Sequence, residues 1–251
     1  MADADSGGAF YESRWFKGTA AVVALAGAVA ALVGPVRGAI SDLFSSETPR
    51  VNTEIVFDSS AAMKAPFGEA GTKLDAAKHA VADYARPFTN QGLAFRSFGG
   101  CGQNGKLAVD FGADHGDDVA RAAAAQQPHG GSDLNDAVRA AIDDLTALPG
   151  DVGKHVVVFT GAVDQCGGAV ASARDINDFL QGSGVSADFR LIGVSLSDQD
   201  KAQLEVLKNA LGKAAETHYA YTPGELQQYV KQITPGTGAT GASGQQPSGS
   251  G

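Results

Sequence analysis

Two short runs constrain this chain more than any other feature. Residues 53–58 (TEIVFD) and 155–160 (HVVVFT) are apolar at nearly every position and rich in β-branched and aromatic side chains. A strand with one wet face alternates polar with apolar. A continuous apolar run needs cover on both faces, the condition of a parallel strand inside an α/β sheet. A third run, 188–195 (DFRLIGVS), also reads as a strand. Residues 93–98 and 106–111 read as two more, joined by a Gly-rich loop and hence a hairpin, and 218–221 as a short last strand. Between them, helical spacing occupies 73–84, 117–125, 133–147, 169–181, 198–211 and 223–233. Start signals support several of these: Ser132 before Asp133, Ser197 before Asp198, and Thr222-Pro223 with Glu225. The alternation specifies an α/β, doubly wound, mostly parallel six-stranded sheet with one antiparallel edge strand.

Outside this region, 50–234, the composition changes. Residues 18–36 (GTAAVVALAGAVAALVGPV) are uncharged, lie between Lys17 and Arg37, and follow Trp15 and Phe16. As a helix they would extend roughly 28 Å, close to the hydrocarbon thickness of a bilayer. Aromatic rings at the entrance favour the headgroup level. The segment is apolar all round, unlike the face-and-stripe pattern of a surface helix. It therefore reads as an uncleaved transmembrane helix behind an N-terminal tail of residues 1–17. The competing reading is a cleaved signal peptide, which would release a secreted soluble binder; the acidic residues Asp3, Asp5 and Glu12 speak against it. Residues 37–49 form a spacer. The tail 235–251, rich in Gly, Ser and Thr with no large apolar side chain, lacks the surface to offset its ordering entropy and is expected to be disordered.

Charge excludes one class of partner. The net charge is −9 and Lys and Arg form no cluster, whereas phosphate binding needs a basic face, so nucleic acid is not expected. The five histidines show no zinc spacing, and no G-x-S-x-G elbow supplies a nucleophile. Gly100-Cys101-Gly102-Gln103-Asn104-Gly105 spells the dinucleotide fingerprint G-x-G-x-x-G. That fingerprint must open a helix whose N-terminus meets the pyrophosphate, and here a strand follows. Cys101 and Cys166 are too far apart for a C-x-x-C motif and stand, on spacing alone, as two thiols or one disulfide.

Ligands of open α/β sheets bind beyond the carboxyl ends of the strands. The first strand is followed there by Asp58-Ser59-Ser60-Ala61-Ala62-Met63. Gly130-Gly131-Ser132-Asp133-Leu134 opens the third helix, and Thr160-Gly161-Ala162-Val163-Asp164 follows the fourth strand. In order and context these resemble the von Willebrand factor type A (VWA) domain over roughly residues 51–233. That family's metal-ion-dependent adhesion site uses D-x-S-x-S, a distant Thr, and an Asp in a T-D-G turn. The resemblance implies a metal set of Asp58, Ser60 and Ser132, with Ser132 at the Thr position. It departs at two places: the second Ser is Ala62, and the second Asp is Gly161. Losing one of two carboxylates matters most for a divalent ion, because charge drives its dehydration. The expectation is a degenerate site with weak Mg²⁺ binding or none; Asp133 and Asp164 are near in sequence but off the motif positions.

The same resemblance addresses the cysteines. In the VWA strand order, the strands preceding Cys101 and Cys166 flank the first one, about 9–10 Å apart. Loops from both can meet, which implies a Cys101–Cys166 disulfide at the rim of the binding face. An extracytoplasmic domain on a single-pass cell-membrane protein follows from such a bond. The functional expectation is a non-enzymatic module that binds or scaffolds a protein partner. The alternative from another class is a nucleotide- or small-molecule-binding α/β enzyme that mimics the motif.

Overall fold

The computed structural model describes residues 51–234 except 103–104 and 167–168. The tail 1–17, the span 18–36, the spacer 37–49 and the C-terminal segment 235–251 all lie outside the described residues. Among those described, no helix is long and apolar enough to cross a membrane.

Six strands, β1 (Val51–Asp58), β2 (Gly92–Phe98), β3 (Lys106–Gly112), β4 (Gly153–Thr160), β5 (Asp188–Val194) and β6 (Ala215–Ala220), form one sheet. Its order is β3-β2-β1-β4-β5-β6, parallel throughout except for β3, which runs antiparallel to β2 at the edge. The helices are α1 (Lys73–Ala85), α2 (Gly116–Ala124), α3 (Leu134–Thr146), α4 (Ala169–Ser183), α5 (Asp198–Leu211) and α6 (Pro223–Ile233). Successive side chains of a strand point to opposite faces. Ile55 and Phe57 of β1 and Val157 and Phe159 of β4 therefore meet α1, α2 and α6 on one side. Val56, Val156 and Val158 meet α3, α4 and α5 on the other. This two-sided cover is what the continuous apolar runs require, and burying one such side chain contributes about 1.5–3 kcal/mol. The edge strands differ. β3 alternates exposed with half-buried residues, and β6 starts three residues before the expected 218 because only its ends, Ala215 and Ala220, are buried.

Two of the helix starts are capped as the sequence implies. Ser197 accepts from the Asp200 amide, and Thr222 forms a capping box with Glu225. The start at Ser132-Asp133 is not: Asp133 occupies the N-cap position of α3 but makes no capping bond. Its side chain is turned to the Gly102 amide at 3.0 Å instead.

One ion network crosses the sheet. Arg96 of β2 donates through Nε to Glu54 of β1 at 2.8 Å and pairs with Asp144 of α3. Glu54 is fully buried. Burial pushes its carboxyl up to about 7, against the opposing pull of Arg96. Because the folded state holds this proton more tightly than the unfolded chain, the contribution of Glu54 to stability declines as pH rises from about 4.5 to about 7. Removing Arg96 strands the carboxylate. Arg96→Met is expected to cost about 3–5 kcal/mol at pH 8, where Glu54 is ionised, and less at pH 5, as denaturant melts at the two pH values would show.

Candidate functional site

The register of the central strands brings Asp58, Phe98, Thr160 and Val194 to the same end of the sheet. Asp58, the last residue of β1, is fully buried. Its Oδ1 accepts from the Ser60 amide at 2.7 Å, closing the turn that follows the strand. Its Oδ2 accepts from the Gly161 amide at 2.9 Å and from the Thr160 hydroxyl at 3.1 Å, so the carboxylate bridges the ends of β1 and β4. Burial raises its pKa, and the bonds from Ser60, Gly161 and Thr160 oppose that shift.

The two hydroxyls expected beside it behave differently. Ser132 is fully buried, and its Oγ donates to the Ala162 carbonyl at 2.9 Å; the Thr160 hydroxyl contacts the same carbonyl. Ser132 and Asp58 are therefore joined through the turn after β4. Ser60 Oγ is buried with no hydrogen-bond partner of normal geometry, although its dipole lies close enough to favour the Asp58 carboxylate. The three residues named by the sequence do share one crest. Their polar atoms are largely engaged with backbone.

The turn at 160–163 is held on every side by side chains. Gly161 N–H goes to Asp58, and Val163 N–H goes to Asp200 at 3.0 Å. Ala162 C=O takes Ser132, and Gly161 C=O takes the Lys73 ammonium at 3.1 Å. The same ammonium donates to Ser195 C=O at 2.8 Å, tying the ends of β4 and β5 together. Burial lowers the pKa of Lys73, while Asp200 and Asp58 raise it. Lys73 lies outside every motif legible in the sequence, yet one signal marks it. It follows the N-cap Thr72 at the start of α1, where the helix dipole disfavours a cation.

The two departures from the motif have structural counterparts. Ala62 lies half-exposed in a 3₁₀ turn, Ala61–Lys64, and supplies no hydroxyl. At Gly161, a Cβ would fall 2.4 Å from Met63 Sδ and 3.3 Å from Lys73 Cδ. Those two side chains fill the space a second carboxylate would need. Asp133 and Asp164 do not replace it. Asp133 accepts from Gly102, and Asp164, at φ +36°, closes its own turn by accepting from the Cys166 amide at 3.2 Å, leaving Oδ2 unpartnered. Among the described residues, no group of three carboxylate, imidazole or thiolate side chains is placed to hold a metal ion. The residues present do not fit a tightly held divalent cation: one orphan hydroxyl and one orphan carboxylate oxygen remain, without the paired charge that dehydrates Mg²⁺.

The loops around this crest are pinned to one another. Cys101, after β2, and Cys166, after β4, form a disulfide with Cα atoms 5.3 Å apart. It lies against the third loop. A Cβ at Gly131 would sit 3.1 and 3.3 Å from the two sulfurs, so only glycine fits beneath the bridge without displacement. Backbone bonds from Gly100 to Gly131, from Ala61 to Gly130, from His129 to Ser59 and from Gln165 to Ser132 complete the rim. The strand β3 that follows the Gly-rich loop runs antiparallel to β2, so the G-x-G-x-x-G string turns a hairpin and opens no helix.

This order of strands, with helices on both faces and a ligand crest at the carboxyl ends, defines a VWA fold. Comparison with solved structures gives the same answer. The chain is similar to the conserved hypothetical protein BatB from Bacteroides thetaiotaomicron: 16% identity, TM-score 0.56, 72% of this chain and 96% of that one. It is similar to a von Willebrand factor type A protein from Catenulispora acidiphila: 19% identity, TM-score 0.55, 74% of this chain but only 42% of that one. It is also similar to an aerotolerance-related membrane protein from Bacteroides fragilis: 17% identity, TM-score 0.54, 72% and 97%. No family model and no curated protein sequence matches the chain.

The disulfide closes a long loop, with 65 residues between its ends in sequence. Loop-closure entropy for that length is about 4 kcal/mol. A Cys101→Ser/Cys166→Ser variant is expected to melt well below the oxidised protein, and reductant should lower the wild-type midpoint towards the variant's without affecting the variant. Equal midpoints would show that the backbone bonds of the rim suffice alone.

Proposed function

We propose that this chain is a membrane-tethered, non-enzymatic module that recognises a protein partner through the crest at the carboxyl ends of its strands. One observation carries the reading: the loops at that end are joined by a disulfide, by side-chain bonds and by backbone bonds into one preformed rim. A rim held in advance loses little entropy on association. The polar groups at its centre are arranged as backbone anchors; neither a nucleophile–base pair nor a phosphate cradle is built there. The description of the matched Bacteroides fragilis structure as a membrane protein is in keeping with tethering, and the apolar segment 18–36 supplies the anchor. A disulfide of this kind persists outside the cytosol, which favours an extracytoplasmic domain on a single-pass protein. Binding of Mg²⁺ is weak or absent in this reading, and recognition rests on loop shape.

Site-specific photo-cross-linking in the native membrane tests the face. A cross-linking residue at Ala61 or His129, both exposed on the crest, is expected to trap a discrete adduct, and one at Asp151, exposed at the opposite end, is not. Adducts from Asp151 alone would place the interface elsewhere. Saturable nucleotide binding by calorimetry would favour an enzyme instead.

Tethering is tested by alkaline carbonate extraction. The full chain is expected to stay in the membrane pellet and a chain lacking residues 18–36 to be released; release of both would remove the anchor from the reading.

A further inference from the structure

The loss of the second carboxylate at Gly161 comes with a replacement. We infer that the Lys73 ammonium is a tethered resident cation that has taken over the organising work a divalent ion would do at this crest, so that the face is built without metal.

Three independent observations converge on it. The first is steric: Met63 Sδ and the Lys73 stem fill the volume in which a carboxylate borne by residue 161 would stand, so the metal's second charged ligand is absent by packing as well as by sequence. The second is geometric. A bound ion would draw the turns after the central strands together; here Lys73 Nζ does so, donating to Gly161 C=O at 3.1 Å and Ser195 C=O at 2.8 Å. Asp58 holds the N–H of the same Gly161 whose carbonyl Lys73 holds, so the carboxylate and the ammonium grip the two ends of one residue. The third is electrostatic. Lys73 lies in the field of both Asp58 and Asp200, and these are the carboxylates that anchor the Gly161 and Val163 amides. One positive charge thus offsets the carboxylates that organise the turn. A flexible four-carbon stem places such a point charge where a carbonyl cradle can receive it.

The inference rests on the crest being the recognition face, but its test does not use a partner, so the cross-linking result and this one can fail separately. The full chain is titrated with Mn²⁺ while the electron paramagnetic resonance signal of the free ion is followed, and thermal melts are run with Mn²⁺, with Mg²⁺ and with chelator. The wild-type chain is expected to leave the free-ion signal undiminished at submillimolar Mn²⁺ and to melt at the same temperature in all three conditions. Lys73→Met is expected to lower the midpoint, with Lys73→Arg recovering part of it. A Met63→Ala/Gly161→Asp/Lys73→Met variant, which clears the space, returns the carboxylate and removes the resident charge, is expected to bind Mn²⁺ about tenfold or more tightly than wild type. Submillimolar Mn²⁺ binding by wild type would overturn the inference whether or not the variants fold, and so would a Lys73→Met midpoint equal to wild type.

Discussion

The structure depends on how a fully buried carboxylate is kept satisfied. Asp58 sits where β1 leaves the sheet, and an ionised group there is tolerated only when hydrogen bonds surround it. Two amides and a hydroxyl do so, drawn from its own turn and from the end of β4. Those bonds fix the turn at 160–163 against β1. Once that turn is fixed, Ser132, Asp200 and Lys73 each reach one of its remaining backbone groups. The crest is best understood as a backbone turn captured by side chains from other elements.

This arrangement separates two jobs that a metal-bearing VWA domain would combine. Holding the turns together is done here by protein groups alone, and presenting a surface is left to the rim loops. The disulfide belongs to the second job. It joins the loops after β2 and β4 over Gly131, where a side chain would crowd the sulfurs. A rim fixed by a covalent bond and by backbone hydrogen bonds changes little when a partner arrives, which suits recognition by shape.

The same economy explains why the usual cap signals fail at α3. Ser132 and Asp133 are good N-cap residues, yet both side chains leave the helix start: Ser132 goes to Ala162 and Asp133 to Gly102. Local helix stability is given up for contacts that close the site, a trade found where tertiary demand overrides local preference. At Ser197 and Thr222, away from the centre of the crest, the caps form as the sequence implies.

By itself the sequence determined the class of fold, because period and polarity are local properties: apolar runs such as HVVVFT need two covered faces, and the stretches between them have one apolar face each. It also placed Asp58, Ser60 and Ser132 at strand and helix ends, and it exposed the two missing ligands as Ala62 and Gly161. The strand order implied by the VWA resemblance brought Cys101 and Cys166 together, and the bridge is there. Only the tertiary structure decided what fills the space at Gly161. Met63 and Lys73 lie far from that residue along the chain and meet it because α1 packs across the ends of β4 and β5. Nothing in their spacing announces that contact. A side chain's partner across a sheet is set by packing in three dimensions, whereas a motif records only the order of residues along one.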